Sequence, residues 1–215
     1  MAENGAPRGR STRMTGRERR EQLVTVGRRV FAEKGFDMSS VEEIASRAKV
    51  SKPIVYEHFG GKEGLYAVVV DREVSTLLAA LESSLQDQRA HPRLLMERTA
   101  MAFLSYIDEN EDGFRILVRD SPVSQAGGTF SSLLTDVAQR VEEILGAQLK
   151  LHGYPTRDAT LYAQMLVGMV AYTGQWWLET REPSKEIVAG RMVNLSWYGL
   201  GALQKTPTLH EDARA

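Results

Sequence analysis

The chain of 215 residues contains no cysteine. Disulfides and thiolate metal sites are therefore excluded, and a reducing compartment suits the composition. Long apolar runs are also missing. No stretch approaches the roughly 18 consecutive apolar residues of a membrane span. The first 20 residues are rich in Arg, Gly and Ser and lack the apolar centre of a secretory signal. These absences lead to the expectation of a soluble, cytoplasmic protein. Strict apolar–polar alternation of the strand kind is absent, so every periodic segment reads as helix. The histidines His58, His91, His152 and His210 stand isolated, without the His/Glu spacing of a metal site. No phosphate-binding G-x-x-x-x-G-K-[ST] loop, G-x-S-x-G elbow or dinucleotide fingerprint is present. The adjacent pairs Glu42-Glu43 and Glu142-Glu143 read as solvated helix surface. Neither an enzyme nor a resident cofactor or metal is expected.

Net charge is nearly absent as well, at −1. Its distribution is more informative. Residues 1–60 hold 12 Lys and Arg against 8 Asp and Glu, a balance of +4, and the remainder carries −5. A basic first quarter on a mildly acidic body fits a nucleic-acid-binding head. With 42% hydrophobic residues the chain can bury a core and form one large domain or two small ones.

The most informative stretch runs from Ser40 to Phe59, SVEEIASRAKVSKPIVYEHF. Val41, Ile44, Ala45 and Ala48 fall at i, i+3, i+4 and i+7, one apolar helix face. Ser40 with Glu43 has capping-box spacing. Lys49 and Val50 form a turn, Ser51 caps a second helix, and Pro53 is tolerated in its first turn, where N–H groups lack partners. That helix is predicted over 52–59 and stops at Gly60-Gly61. Ile54, Val55 and Phe59 point inward, leaving Ser51, Lys52, Tyr56, Glu57 and His58 as a polar display. A helix of two turns cannot stand alone, so neighbours hold it. The two readings are a DNA-binding helix-turn-helix and an ordinary αα-corner in a core.

The flanks extend the pattern. FAEKGFDMSSVEEIASRAKVSKPIVYEHFGGKEGLYAVVV resembles the N-terminal domain of the TetR family of bacterial transcriptional regulators. The resemblance rests on Phe31, Gly35-Phe36, Ser40, Ile44-Ala45, Val50-Ser51, Tyr56, His58-Phe59, Lys62-Glu63 and Leu65. It implies an all-α fold: an N-terminal three-helix helix-turn-helix domain and a larger helical domain for effector binding and dimerisation. The expected division is a basic arm over 1–15, the DNA-binding domain over 16–62, the effector and dimerisation domain over 63–205, and a loose tail over 206–215.

The DNA contacts expected from this resemblance and from side-chain chemistry are Ser40, Ser51, Lys52, Pro53, Ile54, Tyr56, Glu57, His58 and Lys62. Tyr56, His58 and Lys62 match positions that meet phosphates, which orient a domain without reading sequence. Lys52 reaches phosphate or a guanine edge, and Ser51 suits either. Ile54 and Glu57 depart from commoner family choices. Ile54 suggests a thymine methyl contact, and Glu57 either accepts from cytosine N4 or faces water. Arg8, Arg10, Arg13 and Arg17 form either a solvated tail or a DNA arm.

Helix periods place further helices over 17–34, 62–88, 92–109, 112–119, 130–151, 156–180 and 184–204. The helix from Lys62 links the two domains in the family, and its tilt is the implied switch. The last two helices are apolar on more than one face, so both sides must be buried. The family pairs these helices with those of a second copy, and Leu166, Thr173, Trp177, Val188, Met192 and Leu195 are the expected dimer contacts. A small-molecule effector, lipophilic or amphipathic, is implied by the resemblance. Its expected contacts are Phe103, Tyr106, Phe114, Tyr162, Met165, Met169 and Trp176, with Arg115, Arg119 and Asp120 as polar anchors; the alternative is that the aromatics are plain core. The function expected is a homodimeric repressor released from a palindromic operator of double-stranded DNA by that effector. The alternatives are a TetR-like activator and a helical adaptor whose helix-turn-helix is structural.

Overall fold

A computed structural model describes residues 14–87, 89–119 and 130–205, with residues 130–133 as backbone alone. Every regular element among them is helical: α1 Gly16–Lys34, α2 Val41–Arg47, α3 Lys52–Phe59, α4 Lys62–Leu85, α5 Pro92–Glu109, α6 Glu111–Val118, α7 Phe130–Leu151, α8 Ala159–Thr180 and α9 Lys185–Gly201, with a 3-10 turn Thr156–Asp158 before α8. None is long and apolar enough to cross a membrane. The chain forms two compact units, Met1–Val69 and Val70–Ala215.

In the first unit, α1 opens on a complete capping box. Thr15 Oγ1 accepts from the Glu18 N–H, and the Glu18 carboxylate accepts from the Thr15 N–H. This satisfies two of the donors that a helix start leaves open. The box expected at Ser40 is only half formed. Ser40 Oγ accepts from the Glu43 N–H, but the Glu43 carboxylate turns away to Lys34 and Arg47, where two cations outweigh one N–H. Leu23, Val30, Phe31, Ile44, Val55, Leu65 and Val69 make the core and are essentially solvent-free. Phe31, Phe36 and Tyr66 close it with rings 5.0–6.4 Å apart.

In the second unit α5 is central and packs on α6, α8 and α9, while α7 packs along α8. Leu104, Ile107, Phe114 and Ile116 are buried there. Gly174 lets α8 approach closely: a Cβ at that position would lie 2.4 Å from a Phe103 ring carbon and 2.8 Å from Ile107 Cδ1. At the α8–α9 junction Arg181 pairs with Asp108 and Glu111, Lys185 with Asp108, and Arg115 with Glu111 and Glu179.

The orientation of the last helices divides the expected dimer set. Trp177, Val188 and Met192 are buried in their own protomer. The Trp177 indole N–H donates to the Pro183 carbonyl at 2.8 Å, which ties it inside the α8–α9 connection. Leu166 and Thr173 are half-buried, and only Leu195, 65% exposed, lies openly on the outside. The outward stripe consists instead of Leu161, Met165, Tyr172 and Trp176 on α8 and Ile187, Leu195 and Tyr198 on α9. Met165 and Trp176, expected in a pocket, belong to this outer face.

Candidate nucleic-acid interface

The second short helix, α3, is built from local chemistry. Ser51 precedes it in extended backbone, Pro53 occupies its first turn, and Gly60 ends it at φ 73°, where the left-handed region favours glycine. The Gly60 N–H donates to the Tyr56 carbonyl. Val55 is fully buried beneath it. Burial of one such side chain contributes about 1.5–3 kcal/mol, too little to hold two turns unaided, and polar braces from other elements supply the remainder.

Those braces converge on backbone carbonyls. Arg20 on α1 donates to the His58 carbonyl at 2.6 Å and lies 4.4 Å from the Phe59 ring centroid, closing the end of α3. Gln22 donates to the Ala48 carbonyl at 3.2 Å, fixing the turn between α2 and α3. Lys62 donates to the carbonyls of Phe36 and Ser39 at 3.0 and 3.1 Å and sits over the Phe36 ring. Arg20 and Gln22 were not foreseen from sequence. No periodicity marks a side chain whose partner is a backbone carbonyl 26 or 38 residues away.

The turn itself is a Schellman arrangement. The Val50 N–H reaches the Ala45 carbonyl at 2.9 Å and the Lys49 N–H reaches Ser46 at 3.0 Å. Lys49 takes the left-handed position, φ 55°.

The outward surface of α3 holds Ser51, Lys52, Pro53, Tyr56 and Glu57, all exposed, with Tyr56 at 54%. The Ser51 hydroxyl makes no cap hydrogen bond. Lys52 pairs with Glu42 of α2, and that hydrogen bond holds the exposed Glu42 carboxyl below its usual range. Ile54 and His58 are half-buried flanks. Two expected contacts are otherwise engaged: Ser40 caps α2, and the Lys62 ammonium, expected to be open to a phosphate, binds two carbonyls. Arg17 is exposed on the first turn of α1. Arg8, Arg10 and Arg13 lie outside the described residues, as does Asp120.

The expected effector residues do not meet in one place. Phe103, Tyr106 and Phe114 are buried against one another, with ring centroids 5.6 and 6.5 Å apart. The Tyr106 hydroxyl donates to the buried Glu73, 3.2 Å to its carboxylate, a polar partner that sequence periodicity did not reveal. Arg115 is engaged by Glu111 and Glu179. Tyr162 and Met169 are half-buried and Arg119 is exposed. An open groove of about 1030 Å³ runs beside α7, lined by Gln139, Glu142, Glu143, Lys150 and Tyr154 among others, and none of the expected effector residues lines it. Among the described residues no group of three His, Asp or Glu side chains is placed to hold a metal ion.

A short helix held by its neighbours, with a polar outward face and a braced partner helix before it, has the geometry of a DNA-reading helix-turn-helix. Comparison with known proteins agrees. Residues 23–69 match the model of bacterial regulatory proteins of the tetR family, and residues 92–199 match a tetracyclin repressor-like C-terminal domain. The transcriptional activator FasR of Mycolicibacterium smegmatis is 28% identical over 205 residues, which span 92% of this chain and 90% of that protein. The transcriptional repressor BdcR of Escherichia coli is 34% identical over 91 residues, 41% of this chain and 46% of that protein. A TetR-like transcriptional regulator from Rhodococcus sp. RHA1 superposes with a TM-score of 0.72 at 26% identity, covering 89% of this chain and all of that one. With both domain models matched in order and the helix-turn-helix geometry in place, the chain is a helix-turn-helix transcriptional regulator and belongs to the TetR family.

Proposed function

We propose that this regulator acts as a homodimer on a palindromic operator, with one α3 per protomer in successive major grooves, and represses transcription until a small lipophilic or amphipathic molecule binds the second unit. The observation that carries the DNA reading is the outward face of α3, Ser51, Lys52, Pro53, Tyr56 and Glu57, on a helix braced by Arg20 and Gln22. Lys52 serves a guanine edge or phosphate, and Tyr56 serves phosphate. The exposed stripe of α8 and α9 supports the dimer, since Leu161, Met165, Tyr172, Trp176 and Leu195 form an apolar face that a second copy would cover. The match of residues 92–199 to a tetracyclin repressor-like C-terminal domain supports an effector site in the second unit. The protein then works in the cytoplasm, on the nucleoid.

Activation is the second reading, favoured by the name of FasR, a relative that aligns with most of this chain. Selection of genomic fragments by the purified full-length protein, footprinting of the best fragment and transcription from it in vitro separate the readings. A palindromic protected site overlapping the promoter, with lower transcript yield, supports repression. A site upstream with higher yield supports activation. Retention without a protected site would refute both and favour a helical adaptor.

A further inference from the structure

Two residues other than glycine hold a left-handed backbone among the described residues, Lys49 at φ 55° and Arg181 at φ 57°. A side chain there crowds the neighbouring carbonyl, so such positions persist where something outweighs the strain. At Arg181 the compensation lies inside the fold. Its guanidinium pairs with Asp108 and Glu111 and sits 5.1 Å from the Trp177 ring centroid. Lys49 has no such return: its side chain is exposed and makes no hydrogen bond or ion pair among the described residues.

Several other cations around the helix-turn-helix already have partners within the fold. Lys52 pairs with Glu42, Arg47 with Glu33 and Glu43, Lys62 with two carbonyls, and Arg20 with the end of α3. Lys49 stands at the Schellman position after α2, where glycine is the usual solution. It is two residues ahead of Ser51, the N-cap of α3. The N-terminal residues of a docked recognition helix are the ones at the base edges, so a long cation just upstream of them reaches the rim of the groove, where the phosphates lie.

We propose that Lys49 is a DNA-phosphate contact, held in a left-handed conformation that lowers stability because its ammonium serves the docked complex. The inference rests on docking through α3. It predicts a contribution to affinity for any sequence and none to sequence choice.

The test compares full-length Lys49→Gln, Lys49→Gly and Lys49→Arg with the unsubstituted chain. Binding is read by fluorescence anisotropy on the duplex recovered by selection and on a scrambled one, from about 50 to 200 mM salt. Unfolding is read by thermal melting. Lys49→Gln keeps the strain and removes the charge. It is expected to weaken both duplexes by a common factor of about ten to a hundred, and to lower the salt slope by about two, one phosphate per protomer of a dimer. Its melting temperature stays unchanged. Lys49→Gly shows the same binding loss with a melting temperature about 2–4 °C higher, and Lys49→Arg matches the parent. Unchanged affinity and salt slope in Lys49→Gln would overturn the contact, as would a loss confined to the selected duplex. A lower melting temperature in Lys49→Gly would overturn the exchange of stability for binding. If the unsubstituted chain binds no better than Tyr56→Ala, docking through α3 fails, and this contact fails with it.

Discussion

Gly64, in the first turn of α4, is pressed against the end of the recognition helix. A Cβ there would lie 1.9 Å from the Phe59 carbonyl oxygen. Backbone cannot yield as a side-chain end can, so Gly64→Ala must push α4 away from α3. The helix-propensity gain of about 1 kcal/mol opposes an overpacking cost at or above the usual range of about 1–3 kcal/mol. A net loss of about 1–2 kcal/mol in urea unfolding is expected, together with weaker operator binding; full stability would show that the approach is not that close. A second residue-scale expectation concerns pH. The hydrogen bond from Lys185, with the Lys185 and Arg181 charges beside it, holds the Asp108 carboxyl below its ordinary value. Burial pushes Glu111 up, but hydrogen bonds from Arg181 and Arg115 outweigh it and the net direction is down. A carboxyl with a depressed folded pKa stabilises the fold above its unfolded value, near pH 4, and loses that contribution as pH falls through the folded value. The acid limb of melting temperature between about pH 5 and pH 3 should therefore flatten in Asp108→Asn. The effect is modest, because these groups are substantially exposed.

At the scale of the element, α8 has two apolar sides with different duties. Its inner side places Trp177 at 3% exposure with its indole N–H on Pro183, and its outer side leaves Tyr172 76% exposed. Trp177→Ala removes interior packing and should cost about 3–5 kcal/mol in unfolding experiments. The pair Met165→Glu with Tyr172→Glu changes only the outer stripe. It should convert a dimer to a folded monomer in sedimentation experiments, with helical circular dichroism retained. A double variant that sediments as the parent does would move the dimer seam elsewhere. Reading the two variants together matters, since loss of a dimer alone is also what partial unfolding produces.

At the scale of the whole molecule the absence of cysteine becomes useful, because Ser46→Cys on the exposed side of α2 introduces a single labelling site. In the proposed complex the two α3 helices of a dimer match the roughly 34 Å repeat of successive major grooves. An effector that releases DNA must favour a dimer in which they do not. The distance distribution between two Ser46→Cys spin labels is thus expected to shift when a releasing compound is added. An unchanged distribution alongside DNA release would refute the spacing mechanism and point to competition at the DNA surface instead.

The bounds of α3, 52–59, were readable from sequence because they are set locally, by Pro53 in the first turn of the helix and by a glycine free to take φ 73° behind it. The exposed row Ser51, Lys52, Tyr56 and Glu57 followed from the same short period, whereas His58, expected in that row, is half-buried. The all-helical class, the family resemblance and the basic first quarter were legible for related reasons: each depends on neighbours in the chain or on composition. Choices between equivalent partners were not legible. Glu43 had the spacing to complete a box with Ser40, yet it turned to Lys34 and Arg47, which reach it only after α1 and α2 pack. Lys62 had the chemistry for phosphate, yet the loop of Phe36 and Ser39 brought two carbonyls within reach. Trp176 and Trp177 are adjacent in sequence, and a helix apolar around most of its circumference carries no phase to say which faces inward. The close approach of α5 at Gly174 buried one and left the other 48% exposed. Local backbone chemistry set where the helices begin and end, and tertiary packing decided which way they face, because burial is a property of what lies opposite a side chain.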